Sequence, residues 1–137
     1  MPKLYFYDPG LAAYLLEIRN TTQLATHYAK GALFESFIVS EMIKRRFNQG
    51  QPANCFFWRD KNGNEIDCLL DQGESLLPIE IKAGRTVTSN YFKGIDYYSK
   101  MAGTFAAKPW IIYGGTINQH RTKADVLSWN NLDQLKV

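Results

Sequence analysis

The chain has 137 residues, of which 45% are hydrophobic and 21% charged, and its formal net charge is +3 at pH 7. This length and composition are typical of one globular domain with a core, and they exclude an intrinsically disordered chain. No apolar run reaches the roughly 18 residues of a membrane span, and no apolar signal segment opens the chain. We therefore expect a cytoplasmic protein without a membrane partner, whose mild positive charge permits nucleic acid but does not require it.

The two cysteines, Cys55 and Cys68, lie in apolar runs that are typical of strands. A zinc site would need more ligands, and His27 and His120 lie near neither cysteine in sequence. We expect both cysteines to be buried thiols of a cytosolic protein.

The N-terminal segment, residues 1–28, begins with an extended stretch over residues 3–7. Asp8 is a good N-cap and Pro9 suits the first helical position, so a short helix is predicted over residues 11–18. Thr21 and Thr22 are further capping candidates. Because the chain opens directly on this segment, we expect it to be the tail of a longer protein's preceding region, and Met1 need not be a native start.

A long helix is predicted from about Ala29 to Phe47, before an Asn-Gln-Gly stop. On its polar side, Glu41 and Arg45 have the favourable i,i+4 spacing of an ion pair. Glu35 instead falls on the apolar side, where a carboxylate is costly without a partner. Two interpretations stay open at this point, a helix-edge residue or an ion pair with Arg46, and a functional acid.

Three short strands follow the long helix. They are predicted at Cys55–Arg59, Glu65–Asp71 and Leu76–Lys82, and the first turn between them contains Asn62-Gly63. Short polar turns join neighbouring strands most simply as an antiparallel meander.

The last part of the domain, which we place at residues 29–137, continues with a helix over residues 90–101. An apolar run at residues 109–113 predicts a strand buried on both faces, and a short strand at 126–129 precedes a helical turn at 130–135. We expect the strand after the second helix to cross over and lie parallel beside the third strand. The predicted fold class is α/β, with a mixed sheet flanked by helices.

Charged residues alternate along the second and third strands. Alternate side chains of a strand share a face, so Glu65 and Asp67 are expected to point one way, opposite to Ile66, Cys68 and Leu70. Glu80 and Lys82 share a face of the third strand, opposite to Ile79 and Ile81. Carboxylates gathered this closely repel one another, and Mg²⁺ favours sites made of a few carboxylates, water and substrate phosphate. The pattern indicates a metal site for phosphoryl chemistry.

The order of these residues resembles the PD-(D/E)XK nuclease superfamily, which has a restriction-endonuclease-like αβββαβ core. The resemblance implies that Asp67 and Glu80 bind Mg²⁺ or Mn²⁺, with help from the backbone carbonyl of Ile81. It also implies that Lys82 orients and activates the attacking water.

The same resemblance assigns the remaining acids. Glu35 would be an outer or second-metal acid among the catalytic residues, and Glu65 a plausible auxiliary that the superfamily motif does not demand. Exposed basic residues could contact phosphates, although a solvated surface explains them as well. These candidate nucleic-acid-binding residues are Arg59, Lys61, Arg85 and Lys93.

A closer resemblance covers nearly the whole chain. It is carried by KLYFYDPGLA at residues 3–12, GALFE at 31–35, FWRD at 57–60, EID at 65–67 and IEIKAG at 79–84. These words look like the nuclease-like C-terminal domain, of unknown function, of prokaryotic predicted AAA-type ATPases. An upstream ATPase module of the same polypeptide is therefore an expected partner, and the chain itself contains no P-loop motif.

Two functions follow from the sequence. The first is a metal-dependent nuclease acting on DNA, with RNA as the other possible substrate and a homodimer as a possible assembly. The second is a catalytically inactive module of the same fold that binds nucleic acid or docks on the ATPase to regulate it.

Overall fold

The computed structural model describes residues 3–135. The first two residues of the predicted segment 1–28, including Met1, and the last two residues of the predicted domain 29–137 therefore lie outside the described part. The helices are α1 (Pro9–Leu15), α2 (Thr21–Thr26), α3 (Lys30–Asn48) and α4 (Lys93–Ala102). The strands are β1 (Cys55–Arg59), β2 (Glu65–Asp71), β3 (Leu76–Lys82), β4 (Trp110–Tyr113), β5 (Gln119–His120) and β6 (Asp125–Ser128). Short 3₁₀ helices span Ser89–Phe92, Gly103–Phe105 and Trp129–Gln134.

The six strands form one mixed sheet in the order β1-β2-β3-β4-β6-β5. β1, β2 and β3 are antiparallel neighbours, as the predicted meander requires. β4 lies parallel to β3, with Ile79 beside Trp110 and Lys82 beside Tyr113, so the predicted crossover through α4 is confirmed. The α/β class and the predicted αβββαβ element order are therefore both present.

Helices cover both faces of the sheet. On one face, Ile38, Val39 and Met42 of α3 pack against Ile79 and other apolar side chains of β2, β3, β4 and β6. On the opposite face, Phe92 and Ile95 pack against a second cluster that includes Ile111 and Val126. The sheet is thus the middle layer of three, and burial on both faces explains why β4 is continuously apolar.

The N-terminal segment is helical in two places. Asp8 caps α1 as predicted, since its carboxylate accepts the backbone N–H groups of Gly10 and Leu11. The predicted end of this helix at residue 18 is wrong, because Glu17 has a φ of 58° in the left-handed region, where a helix cannot continue. A second helix, α2, is capped by the side chain of Asn20, which accepts the N–H of Gln23, and not by Thr21 or Thr22.

Two charged residues of α3, Glu41 and Arg45, have different partners from those predicted. The predicted Glu41–Arg45 pair is wrong. Arg45 donates to the backbone carbonyls of Leu132 and Asp133 instead, and Glu41 pairs with Lys44 at 3.0 Å. Strand β5 was not predicted, because its two residues carry no pattern of their own.

Two further expectations concern the thiols and the membrane. Both cysteines are free, with Cys68 buried and Cys55 half-buried. Among the helices of residues 3–135, none is long and apolar enough to cross a membrane.

Candidate active site

Asp67, Glu80 and Lys82 meet at one end of the sheet. The Lys82 ammonium lies 2.7 Å from Glu80 Oε2 and 3.1 Å from Asp67 Oδ2, and it bridges the two carboxylates. Both carboxylate side chains are almost fully buried, whereas the side chain of Lys82 retains 33% exposure. The lysine therefore connects two buried acids to solvent.

A break in strand pairing makes room for this group. The paired register of β2 and β3 runs from Asp71–Leu76 to Cys68–Ile79 and stops there. Beyond it, the N–H of Ile81 donates to Asp67 Oδ2 at 2.8 Å. Because the N–H and C=O of one strand residue point to the same edge, the Ile81 carbonyl also faces the Asp67 side.

An irregularity in the pairing of β1 with β2 gives the side chains of β2 faces that differ from the prediction. The register between β1 and β2 shifts between Phe56 and Trp58, and Ile66 packs into the α4-side cluster while Cys68 and Leu70 pack on the α3 side. Strict alternation through β2 was therefore wrong, because the bulge adds a residue to one strand and turns the side chains beyond it. Ile79 and Ile81 share the α3 face, as predicted.

The electrostatics of the group follow from burial and like charge. Burial, together with the hydrogen bond and charge of Asp67, raises the pKa of Glu80 to about 8, although the Lys82 ammonium lowers it. Burial alone would also raise the pKa of Asp67, but its hydrogen bond with Glu80, the charge of Lys82 and the Ile81 N–H hold it below its usual range. The pair therefore shares one proton near neutral pH, and Glu80 carries it.

Lys82 remains a cation in this setting. Burial lowers its pKa, but the charges of Asp67 and Glu80 outweigh burial and raise the pKa above its ordinary value. At neutral pH the side chain is a hydrogen-bond donor and a fixed positive charge.

The N-terminal segment adds a second lysine and a tyrosine that the sequence analysis missed as functional residues. Lys3 forms an ion pair with Glu35 and lies 3.4 Å from Asp67 Oδ1. The Tyr5 hydroxyl donates to Glu35 Oε1 at 2.7 Å and lies 3.2 Å from the backbone carbonyl oxygen of Asp67. The only signal in the sequence was the Lys-x-Tyr spacing, which places both side chains on one side of an extended segment.

Glu35 thus reaches the site from α3. The alternative ion pair with Arg46 is wrong, because Arg46 lies three helical turns away and donates to the backbone carbonyl of Pro52 at 2.7 Å. Glu65 is half-buried and makes no side-chain hydrogen bond or ion pair within the described part of the chain. The structure therefore brings Glu35 to Asp67 and leaves the auxiliary role of Glu65 a prediction.

Helix α4 closes the site from the other side of the sheet. A Cβ added at Gly94 would lie 2.7 Å from the backbone oxygen of Glu65 and would overlap the carboxylate of Glu80. The missing side chain at this position lets the start of α4 rest directly on Glu80. An isolated glycine in a helical pattern has no single interpretation, so the sequence pattern did not predict this role for Gly94.

The four basic candidates surround this end of the sheet. Arg59 ends β1 beside Glu65, and Lys61 lies in the turn that follows. Arg85 comes three residues after Lys82, and Lys93 immediately precedes Gly94. All four side chains are exposed, so they are free to meet a polyanion, and contact with phosphate stays a prediction.

The donor set limits how a metal could bind. Across residues 3–135, no three His, Cys, Asp or Glu side chains are placed to hold a metal ion by themselves. The two buried carboxylates and the Ile81 carbonyl fit Mg²⁺, which takes one or two carboxylates and completes its shell with water and phosphate.

The fold and the site define a mixed α/β domain with a lysine-bridged acidic group at the end of its sheet. The chain belongs to the DUF4143 family, a domain of unknown function, whose model matches residues 30–132. No curated protein and no solved structure matches the chain. The matched range contains Glu35, Asp67, Glu80 and Lys82, while Lys3 and Tyr5 precede it.

Proposed function

We propose that this protein is a metal-dependent nuclease domain of the PD-(D/E)XK type, which hydrolyses phosphodiester bonds in DNA. The observation that carries the proposal is the junction of Asp67, Glu80 and Lys82, where one ammonium bridges two buried carboxylates at 2.7 and 3.1 Å. An ion pair with a purely structural role would need only one carboxylate for the one ammonium of Lys82, but two carboxylates are present. Here the second acid keeps a proton that a cation could replace.

Asp67, Glu80 and the Ile81 carbonyl would hold Mg²⁺ or Mn²⁺. When bound, the ion neutralises charge on the scissile phosphate and makes water more acidic. The chain's contribution is to place its two carboxylates on adjacent strands where pairing has ended. Asp67 Oδ2 already accepts the Ile81 N–H and the Lys82 ammonium, so an ion would share this oxygen with them. Binding requires Glu80 to lose its proton, because a metal ligand must be deprotonated.

Lys82 orients the attacking water and offsets charge on the phosphate. Its raised pKa keeps the ammonium charged, so it donates hydrogen bonds and does not take the proton of the water itself. Its partial exposure lets it reach a substrate that approaches from solvent. Arg59, Lys61 and Lys93 would bind flanking phosphates on the exposed rim around it.

The proposed biological setting is the C-terminal part of an AAA-type ATPase. Support for it comes from the sequence motifs at residues 3–12 and 79–84. The first motif contacts the site through Lys3, which lies near Asp67, and Tyr5, which donates to Glu35. The ATPase module would act as a partner in the same polypeptide.

The test is cleavage of plasmid and branched DNA with Mg²⁺ or Mn²⁺, with RNA as a parallel substrate. Asp67→Ala and Lys82→Ala should each lower cleavage by at least about a hundredfold. Asp71→Ala, at the other end of β2, and Lys100→Ala, on the exposed side of α4, are matched controls that should keep full activity. Equal cleavage by all variants would overturn the proposal.

One observation favours a second function, a catalytically inactive module that binds nucleic acid or regulates the ATPase. Lys3 and Lys82 compensate two of the three acids and the third, Glu80, keeps a proton, so the group is stable without a metal. This alternative expects no Mn²⁺ uptake by calorimetry, and DNA binding that is unchanged by EDTA and by Asp67→Ala.

A further inference from the structure

Residues 3–8, which form neither a helix nor a strand, cross the carboxylates of Glu35 and Asp67 as a strap. Lys3 and Tyr5 point inward and are half-buried, while Leu4 and Phe6 between them are exposed. Tyr5 packs against the α3-side core, and Asp8 anchors the end of the strap as the cap of α1. The strap therefore has a fixed register, and it delivers the Lys3 ammonium to one position.

That position lies between two carboxylates. The ammonium pairs with Glu35 and lies 3.4 Å from Asp67 Oδ1. It also lies over the face of the Phe57 ring, with its nitrogen 4.8 Å from the ring centroid. The other oxygen of Asp67 is already used by the Ile81 N–H and by Lys82. Lys3 thus occupies the oxygens of Asp67 and Glu35 that a second divalent ion would need.

We propose that Lys3 is a built-in cation that takes the place of a second metal ion and limits the site to one. This inference rests on the proposed function. In a two-metal site, ions about 4 Å apart clamp the attacking and leaving oxygens of the phosphate. Here the Lys3 ammonium supplies the second positive charge, and Glu35 positions that ammonium and does not bind metal.

The exposure and contacts of Lys3 explain how its ammonium could take the place of a second metal ion. With 28% side-chain exposure, Lys3 is open enough to meet a phosphate oxygen. The phenol of Tyr5 holds Glu35 through its hydrogen bond of 2.7 Å, so the carboxylate cannot swing away from the ammonium. Lys3 therefore supplies the charge, Glu35 and Tyr5 position it, and the metal ligands remain on β2 and β3.

The experiment counts bound Mn²⁺ by calorimetry, using the full chain at the same pH for every variant. Wild type should bind one ion. Lys3→Met keeps the stem over Phe57 but removes the charge, and it should bind two ions, which should show spin coupling in the Mn²⁺ EPR spectrum. Lys3→Arg keeps the charge and should still bind one ion.

A double variant tests whether Glu35 provides the oxygens for the second ion. Lys3→Met combined with Glu35→Gln removes the second pair of oxygens and should return the count to one ion. Lys3→Gln repeats the neutral substitution if the methionine variant fails to fold.

The outcomes separate the two proposals. Two ions in wild type, or one ion in both neutral variants, would overturn the role of Lys3 and leave the proposed nuclease standing. No ion bound by any variant would overturn the proposed metal-dependent function and this inference with it.

Discussion

Replacing Glu80 with Gln tests whether the proton shared by Asp67 and Glu80 exists. The side chain of Gln has the shape of a protonated Glu and can still accept a hydrogen bond from Lys82, but it cannot ionise. Wild type and variant should therefore have nearly equal free energies of unfolding at acidic pH. They should diverge as the pH rises, because only the wild-type chain has a carboxyl at this position that ionises when unfolded and stays protonated when folded.

The magnitude follows from the pKa of Glu80, which lies near 4.5 in an unfolded chain and at about 8 in the fold. Between these values the unfolded chain has released a proton that the folded chain still holds, so stability falls as the pH rises. From pH 4.5 to pH 7 the loss from this group reaches about 3 kcal/mol, at about 1.4 kcal/mol for each tenfold change in proton concentration. Above pH 8 the loss levels off, because both states are then ionised.

Urea unfolding followed by tryptophan fluorescence, repeated between about pH 5 and about pH 8, measures this difference. Glu80→Gln should become about 3 kcal/mol more stable than wild type by pH 7, whereas Glu74→Gln, in the exposed turn before β3, should parallel wild type. Mg²⁺ should stabilise wild type and not Glu80→Gln. Parallel curves for wild type and Glu80→Gln would refute the shared proton and its physical cause.

Three further predictions concern the residues around the site, and urea midpoints measure all of them. Gly94→Ala should cost about 2 kcal/mol, because the new Cβ overlaps Glu80, whereas Gly31→Ala in α3 meets no atom within 4 Å and should be neutral or slightly stabilising; equal effects would contradict the close approach of α4. Tyr5→Phe removes a hydrogen bond to a carboxylate and should cost about 2 kcal/mol, and a neutral result would mean that the strap is not held by Glu35. Asp67→Ala leaves a buried N–H and a lysine without their acceptor and should cost about 3 kcal/mol, and a stabilised variant would contradict the contacts described.

Much of the scaffold could be predicted from local pattern. The strands Glu65–Asp71 and Leu76–Lys82 were located to the residue, because polar turns bound them and their apolar runs are short. The parallel strand at Trp110–Tyr113 followed from its continuous apolar run after a helix. The acids and the lysine of the site could be named because charged and apolar residues alternate along these two strands.

Other features depended on contacts that local pattern does not encode. The bulge in β2 moved Ile66 to the other face of the sheet, although the sequence alternates smoothly there. Arg45 was drawn from its helical partner to the carbonyls of Leu132 and Asp133, which lie far along the chain. A backbone acceptor fixed in space can outcompete an exposed neighbour on the same helix, because an exposed ion pair contributes little.

By itself, the sequence determined the order of helices and strands, the mixed sheet and the identity of the acids, since each depends on residue type and on spacing of a few positions. Only the tertiary structure decided that Lys3 and Tyr5 reach Glu35 and Asp67, that Glu80 lies against Gly94, and that Glu80 keeps a proton. The physical reason is that charge compensation and burial depend on distances between residues remote in sequence, and folding alone sets those distances.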